Sequence, residues 1–199
     1  MAGAWLNEEL RNAYHEAGHA VIMWLVGGCI IKATIKPFDE ERAALGGYVL
    51  KGPGGFTTAE PFDPEAARMM PCPTPAKEQR TFGLLYAVTT VAGPIAETEA
   101  GFDPRRPYLL TEFLRGTRGY LRSDEPGTRR EKLVQVRACA RALLRRHWAL
   151  VARLASLLYL EGTVTGDRID RELRKLGGIP LAEQGESEMP DVEEPCLIQ

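Results

Sequence analysis

Ala13-Tyr-His-Glu-Ala-Gly-His-Ala-Val21 is the stretch on which the reading of this chain turns. It lies in a run where Leu10, Ala13, Tyr14, Ala17, Val21, Trp24 and Leu25 recur at helical spacing. The run predicts a helix with Asn7 as its N-cap, Glu8 and Glu9 in the first turn, and Gly27-Gly28 ending it. On such a helix His15 and His19 stand one turn apart on a single face. Two imidazoles so placed can reach one zinc ion at about 2.0–2.1 Å. Glu16 then stands beside the metal, where a carboxylate can take a proton from water and pass it to a leaving amine. The chain holds three histidines, and two of them fall at this spacing, which weighs against coincidence on an ordinary helix. Gly18 adds to this. A mid-helix glycine costs about 1 kcal/mol relative to alanine, so a close backbone approach is expected there.

Working outward, residues 29–36 read as a strand that stops at Pro37, and residues 39–42 as a charged loop. Residues 45–50 read as a second strand, closed by Gly52-Pro-Gly-Gly55. Residues 56–76 carry Pro61, Pro64, Pro71, Pro73 and Pro75 and read as mostly loop, with one short helix at 64–70. A second long helix is expected over 77–101. Pro94 falls inside it and predicts a kink or break near Gly93. Residues 102–128 mix proline, glycine and arginine. A third helix is expected from 129 through His147 and on to Glu161, then punctuation at Gly162 and Gly166, then a short helix over 167–176. The expected fold class is α+β and mainly helical: a zinc helix beside a small β-sheet, then a helical bundle. Residues 1–182 form one domain in this reading, and the acidic residues 183–199 a disordered tail.

Composition narrows the function classes. A chain of 199 residues suits one domain plus a tail and leaves no room for an ATPase module beside a second catalytic domain. At 44% hydrophobic and 26% charged it is neither collagen-like nor disordered throughout. Cys29, Cys72, Cys139 and Cys196 form no C-x-x-C pair, so neither a zinc knuckle nor a thioredoxin-like site is expected. The longest apolar stretch, residues 20–31, is short of the roughly 18–20 residues a membrane span needs. No basic leader precedes it. A soluble, cytoplasmic protein is expected.

The net charge of −2 conceals three blocks: residues 1–104 hold 8 basic and 13 acidic groups, residues 105–175 hold 17 and 8, and residues 176–199 hold 0 and 6. Arg137, Arg141 and Arg145 recur every four residues, with Arg130 and Arg153 on the same broad face. That is the pattern of a solvated helix face. Aromatics suited to base stacking are few, so no nucleic-acid partner is expected.

The zinc stretch resembles the metal motif of FtsH-type peptidase domains. Lys32-Ala-Thr-Ile-Lys-Pro37 and Leu45-Gly-Gly-Tyr48 are similar to the strands that follow it in that family. Val91-Ala-Gly-Pro-Ile-Ala-Glu97 resembles the second helix, and Leu157-Leu-Tyr-Leu-Glu-Gly-Thr-Val-Thr-Gly166 the closing helix and terminal segment. The likeness spans about three quarters of the chain and is weak outside the motif. There is no G-x-x-x-x-G-K-[ST] loop and no transmembrane segment. The resemblance therefore implies a free-standing zinc metalloendopeptidase acting on polypeptide substrates, with any unfolding left to a separate ATPase motor. Nothing in the sequence sets an oligomeric state.

A catalytic zinc takes a third protein ligand. The resemblance implies an aspartate shortly before the third helix, and Ser123-Asp124 is the best match, with an insertion in 102–122. Asp124 also reads as an N-cap or first-turn acid. Glu97 is the second candidate, either on the metal or orienting a histidine. His147, beside Trp148, and Asp103 are the others. The strand around residues 46–50 is a candidate edge for an extended substrate. The alternative function is a zinc-binding interaction or regulatory module without turnover, against which the intact Glu16 argues.

Overall fold

The computed structural model describes residues 2–26, 28, 30–36, 48–51, 56–59, 76–103 and 128–180. The elements are α1 (Ala2–Leu25), β1 (Ile30–Thr34), β2 (Tyr48–Lys51), β3 (Phe56–Ala59), α2 (Ala76–Glu99), α3 (Arg129–Arg146), α4 (Trp148–Glu161), β4 (Thr163–Thr165) and α5 (Gly166–Lys175). The fold is α+β and mainly helical, with a small antiparallel sheet, as the sequence predicts.

α1 is the central element because both α2 and α4 pack on it. Its apolar residues run all the way round: Ala13, Ala17, Ala20, Val21, Ile22 and Leu25 are all sealed from solvent. α2 meets it with Val88, Val91, Ala92, Ile95 and Ala96, and α4 with Val151, Leu154, Ala155 and Leu158. Each large aliphatic side chain so buried contributes roughly 1.5–3 kcal/mol. That burial offsets the cost of enclosing polar groups on the same helix. α3 also packs on α2, and its Val136, Ala140 and Leu144 are buried in the same core.

The strand order is β2-β3-β1-β4, with every neighbouring pair antiparallel. β2 and β3 form a hairpin that pairs Lys51 with Phe56. β1 pairs Ala33 with Thr57 on one side and Val164 on the other, and its register against β3 shifts between Ile30 and Lys32.

Several expectations are corrected. α1 starts at Ala2, so Asn7 is inside the helix and not its cap. Ala and Leu before it are strong helix formers and extend the helix. The end is as expected: the Gly28 N–H bonds the Met23 carbonyl at 2.8 Å, the long bond of a Schellman turn. Residues 56–59 are a strand, where proline content downstream suggested loop. Phe56-Thr-Thr is good strand sequence in its own right. α2 is continuous through Pro94, so the expected break is not there. Packing of Val91, Ala92, Ile95 and Ala96 on α1 outweighs the missing proline N–H. The expected single helix 129–161 is two, joined at His147. Gly162, with φ of 74°, caps α4 as expected. The short helix proposed at 64–70 and the tail at 183–199 lie outside the described residues. Among the described residues, no helix is long and apolar enough to cross a membrane.

Candidate metal centre

His15, Glu16 and His19 are all 0% exposed, and His15 and His19 lie on the side of α1 that faces α2. The two rings meet edge to face, with centroids 4.7 Å apart and planes at 80°. What holds each ring fixes where its proton sits. His19 Nδ1 is 2.8 Å from the Thr89 carbonyl oxygen of α2. A carbonyl only accepts, so Nδ1 carries the hydrogen and Nε2 the lone pair. His15 Nδ1 is 2.6 Å from Glu97 Oε1. Burial pushes the Glu97 carboxyl up, but the hydrogen bonds it accepts from His15 and Arg11, with the charge of Arg11, outweigh it and hold Glu97 below its ordinary range. An ionised carboxylate likewise only accepts, so His15 also donates from Nδ1.

Two acceptor nitrogens therefore face each other. His15 Nε2 and His19 Nε2 are 3.1 Å apart. Two lone pairs at that distance in a buried site repel, and a cation, either a proton or a metal ion, relieves them. Two nitrogens bound tetrahedrally to one zinc would stand about 3.3–3.4 Å apart, close to the separation here. Gly93 of α2 supplies the space. A Cβ on Gly93 would lie 2.5 Å from His19 Nε2 and 2.8 Å from His15 Nε2. Any larger residue would cover both nitrogens, so the chain leaves open the place where a ligand pair needs room. The donor pair, two imidazoles held from behind by Glu97 and the Thr89 carbonyl, suits zinc.

The approach of α2 explains Gly18. A Cβ there would lie 2.7 Å from the Ala92 carbonyl oxygen and 2.7 Å from Ala96 Cβ. The helices cross at a distance only glycine allows, and that crossing brings Thr89, Gly93 and Glu97 over the histidines. These three recur every four residues, so one face of α2 serves the whole site.

Glu97 acts on the far side of the His15 ring from Nε2, as an orienting group. Arg11, one turn before His15, donates its Nε–H to Glu97 Oε2 and bonds the Asp103 carbonyl oxygen at 2.6 Å. Sequence reading missed Arg11, Thr89 and Gly93. Thr89 acts through its main chain, which leaves no side-chain signal. Arg11 was legible only as the residue four before His15.

Among the described residues, no group of three His, Cys, Asp or Glu side chains is placed to share a metal ion. Glu97, His147 and Asp103 are thus not brought in as the third ligand. His147 joins α3 to α4, half-buried, its ring held below the usual histidine pKa by burial and by the charge of Arg146. Its neighbour Trp148 stacks on Tyr14 at 5.7 Å between centroids, and Phe102 lies 6.1 Å from Tyr14. Asp124, the aspartate the resemblance implies, lies outside the described residues. So do residues 46 and 47 of the candidate substrate strand, while β2 is the outermost strand at its end of the described sheet.

Asn12 completes the polar face of α1. It is 8% exposed, and its carboxamide oxygen is buried and accepts no hydrogen bond among the described residues. A buried acceptor left so costs about 1–3 kcal/mol.

No protein-family model matches the chain, and no curated protein matches it.

Proposed function

We propose that the chain is a zinc-dependent metalloendopeptidase that cuts internal peptide bonds of polypeptides. The observation that carries this reading is the buried pair of Nε2 acceptors 3.1 Å apart, each fixed in tautomer from behind, with Glu16 next in the helix. His15 and His19 would hold the metal, with Asp124 as third ligand by the resemblance. Zinc, when bound, polarises the scissile carbonyl and makes water nucleophilic at neutral pH.

The chain's own groups do the rest. Glu97 and the Thr89 carbonyl keep both Nε2 lone pairs directed at one point, so no ring rotation is needed at the moment of reaction. The Glu16 carboxylate takes a proton from the attacking water. It then gives that proton to the amide nitrogen as the C–N bond breaks and the amine leaves. Burial of Glu16 excludes bulk water from this transfer. β2, the outermost strand at its end of the described sheet, would offer backbone groups to an extended substrate. Such pairing is tolerant of sequence, as cleavage of unfolded chains requires. A separate ATPase would supply folded substrates in extended form.

Glu16→Gln tests the reading. The variant should keep its zinc and lose cleavage of casein, by a factor of 10² or more. Equal cleavage by both proteins would contradict the role of Glu16. Zinc without cleavage in the wild type would favour a binding module over an enzyme.

A further inference from the structure

The two histidines are held from behind in different ways. The acceptor behind His19 is the Thr89 carbonyl, which the α2 backbone fixes. The acceptor behind His15 is the end of a side chain, the Glu97 carboxyl. A glutamate's last torsion is broad and roughly two-fold, so the side chain does not by itself fix the plane of its carboxyl. Arg11 meets the oxygen that His15 leaves over. Its Nε–H donates to Glu97 Oε2, while His15 Nδ1 lies 2.6 Å from Oε1. The guanidinium is held in turn by its other arm, since Nη2 donates to the Asp103 carbonyl oxygen at 2.6 Å. The turn that ends α2 brings that carbonyl back. Gly101, with φ of 90°, is left-handed, its N–H bonds the Thr98 carbonyl at 3.0 Å, and the Phe102 N–H bonds the Glu97 carbonyl at 3.0 Å. The whole clamp is screened from solvent: the Glu97 side chain is 2% exposed and that of Arg11 12%.

We propose that Arg11 is a positioning residue of the zinc site, which acts through Glu97 by locking its carboxylate in the plane that meets His15 Nδ1. This rests on the zinc reading of His15 and His19 above. The role lies in direction rather than in charge. A guanidinium is a planar fork, so its Nε–H and Nη2–H leave in fixed directions towards two acceptors at once. An ammonium is a point charge on a flexible stem and fixes neither. Stability alone does not call for an ion pair at this place, because apolar residues of like volume often replace a buried pair without loss. Arg11 also stands one turn before His15 on the same helix face, so it reaches the Glu97 carboxylate from the same backbone that carries the ring.

The test measures the zinc affinity of the full chain by competition with a chelator. Arg11→Met keeps the aliphatic stem and removes the fork. It is expected to weaken zinc binding about tenfold when Glu97 is present, the lower end for groups behind a metal ligand, and less than about twofold in a Glu97→Leu background, where no carboxylate is left to hold. Arg141→Met, which takes a hydrogen-bonded partner from Glu99 near the end of the same helix, is expected to leave zinc affinity unchanged. A purely structural arginine would lower the thermal midpoint of the metal-free protein without this dependence on Glu97. Arg11→Lys, which keeps the charge, is the second variant should methionine disturb the fold, and it is expected to weaken zinc binding in the same sense. Full affinity in Arg11→Lys, no loss in Arg11→Met, or an equal loss in both backgrounds overturns the assignment of Arg11 and leaves the zinc reading standing. A folded wild-type protein that takes up no zinc overturns that reading, and this proposal with it.

Discussion

At the scale of the residue, the site is decided by what stands behind each imidazole. Thr89 and Glu97 both accept, so both histidines present a lone pair at Nε2, and Gly93 leaves those nitrogens uncovered. Glu97→Gln keeps an acceptor but removes the charge that makes His15 a better donor to a metal. Zinc affinity, measured by competition with a chelator, is expected to fall about tenfold or more. Unchanged affinity would mean that Glu97 is only a partner for Arg11. His15, Glu16 and His19 were legible in the sequence because helix spacing fixes them. Glu97 was legible as one of two roles, and the 2.6 Å contact at Nδ1 selects the orienting one. Thr89 was not legible, since a carbonyl belongs to every residue.

At the scale of the element, the crossing of α1 and α2 is the joint on which the site depends. Gly18→Ala sets two effects against each other. Helix propensity gains about 1 kcal/mol, while forcing a methyl to within 2.7 Å of the Ala92 backbone oxygen costs typically 1–3 kcal/mol. The neighbouring atom is main chain in the middle of a helix and cannot swing away, so the larger cost wins. Urea denaturation should show a net loss of up to about 2 kcal/mol, and a gain would show that the helices part easily. Sequence patterning located these two helices because their apolar positions recur with period 3.6. It failed where local chemistry was overruled or overshadowed. Pro94 was overruled by packing, and Phe56–Ala59 was overshadowed by the prolines after it. The join at His147 had no breaker residue to mark it. The start of α3 was legible in principle: Thr128 and Glu131 form a capping box, with the Thr128 N–H bonding Glu131 Oε2 at 2.6 Å.

At the scale of the whole molecule, the blocks of charge meet in the fold. Glu99, at the end of α2 in the acidic block, accepts from Arg141 at 3.0 Å and Arg145 at 2.7 Å on α3. Two residues of the arginine stripe thus tie helices together. Glu172 of α5 is held at about 2, from an ordinary 4.5, by hydrogen bonds from Lys175 and Arg153 and by their charges. Its folded value lies below its unfolded one, so the stability it contributes is full above about pH 4.5 and is lost as pH falls towards 2. Hydrogen bonds from Trp24 and Arg174 lower Asp170 in the same sense. Stability followed by circular dichroism should fall through that window, and Glu172→Gln should flatten the fall. An unchanged slope would mean these ion pairs are too well solvated to matter.

Zinc held by His15 and His19 is the centre of the proposed function. Wild-type protein, purified without added chelator, is to be analysed for bound metals by mass spectrometry beside His15→Ala and His19→Ala. About one zinc per wild-type chain, lost in both variants, is the expected result. A folded wild-type protein that neither carries zinc nor takes it up on addition would contradict the central claim.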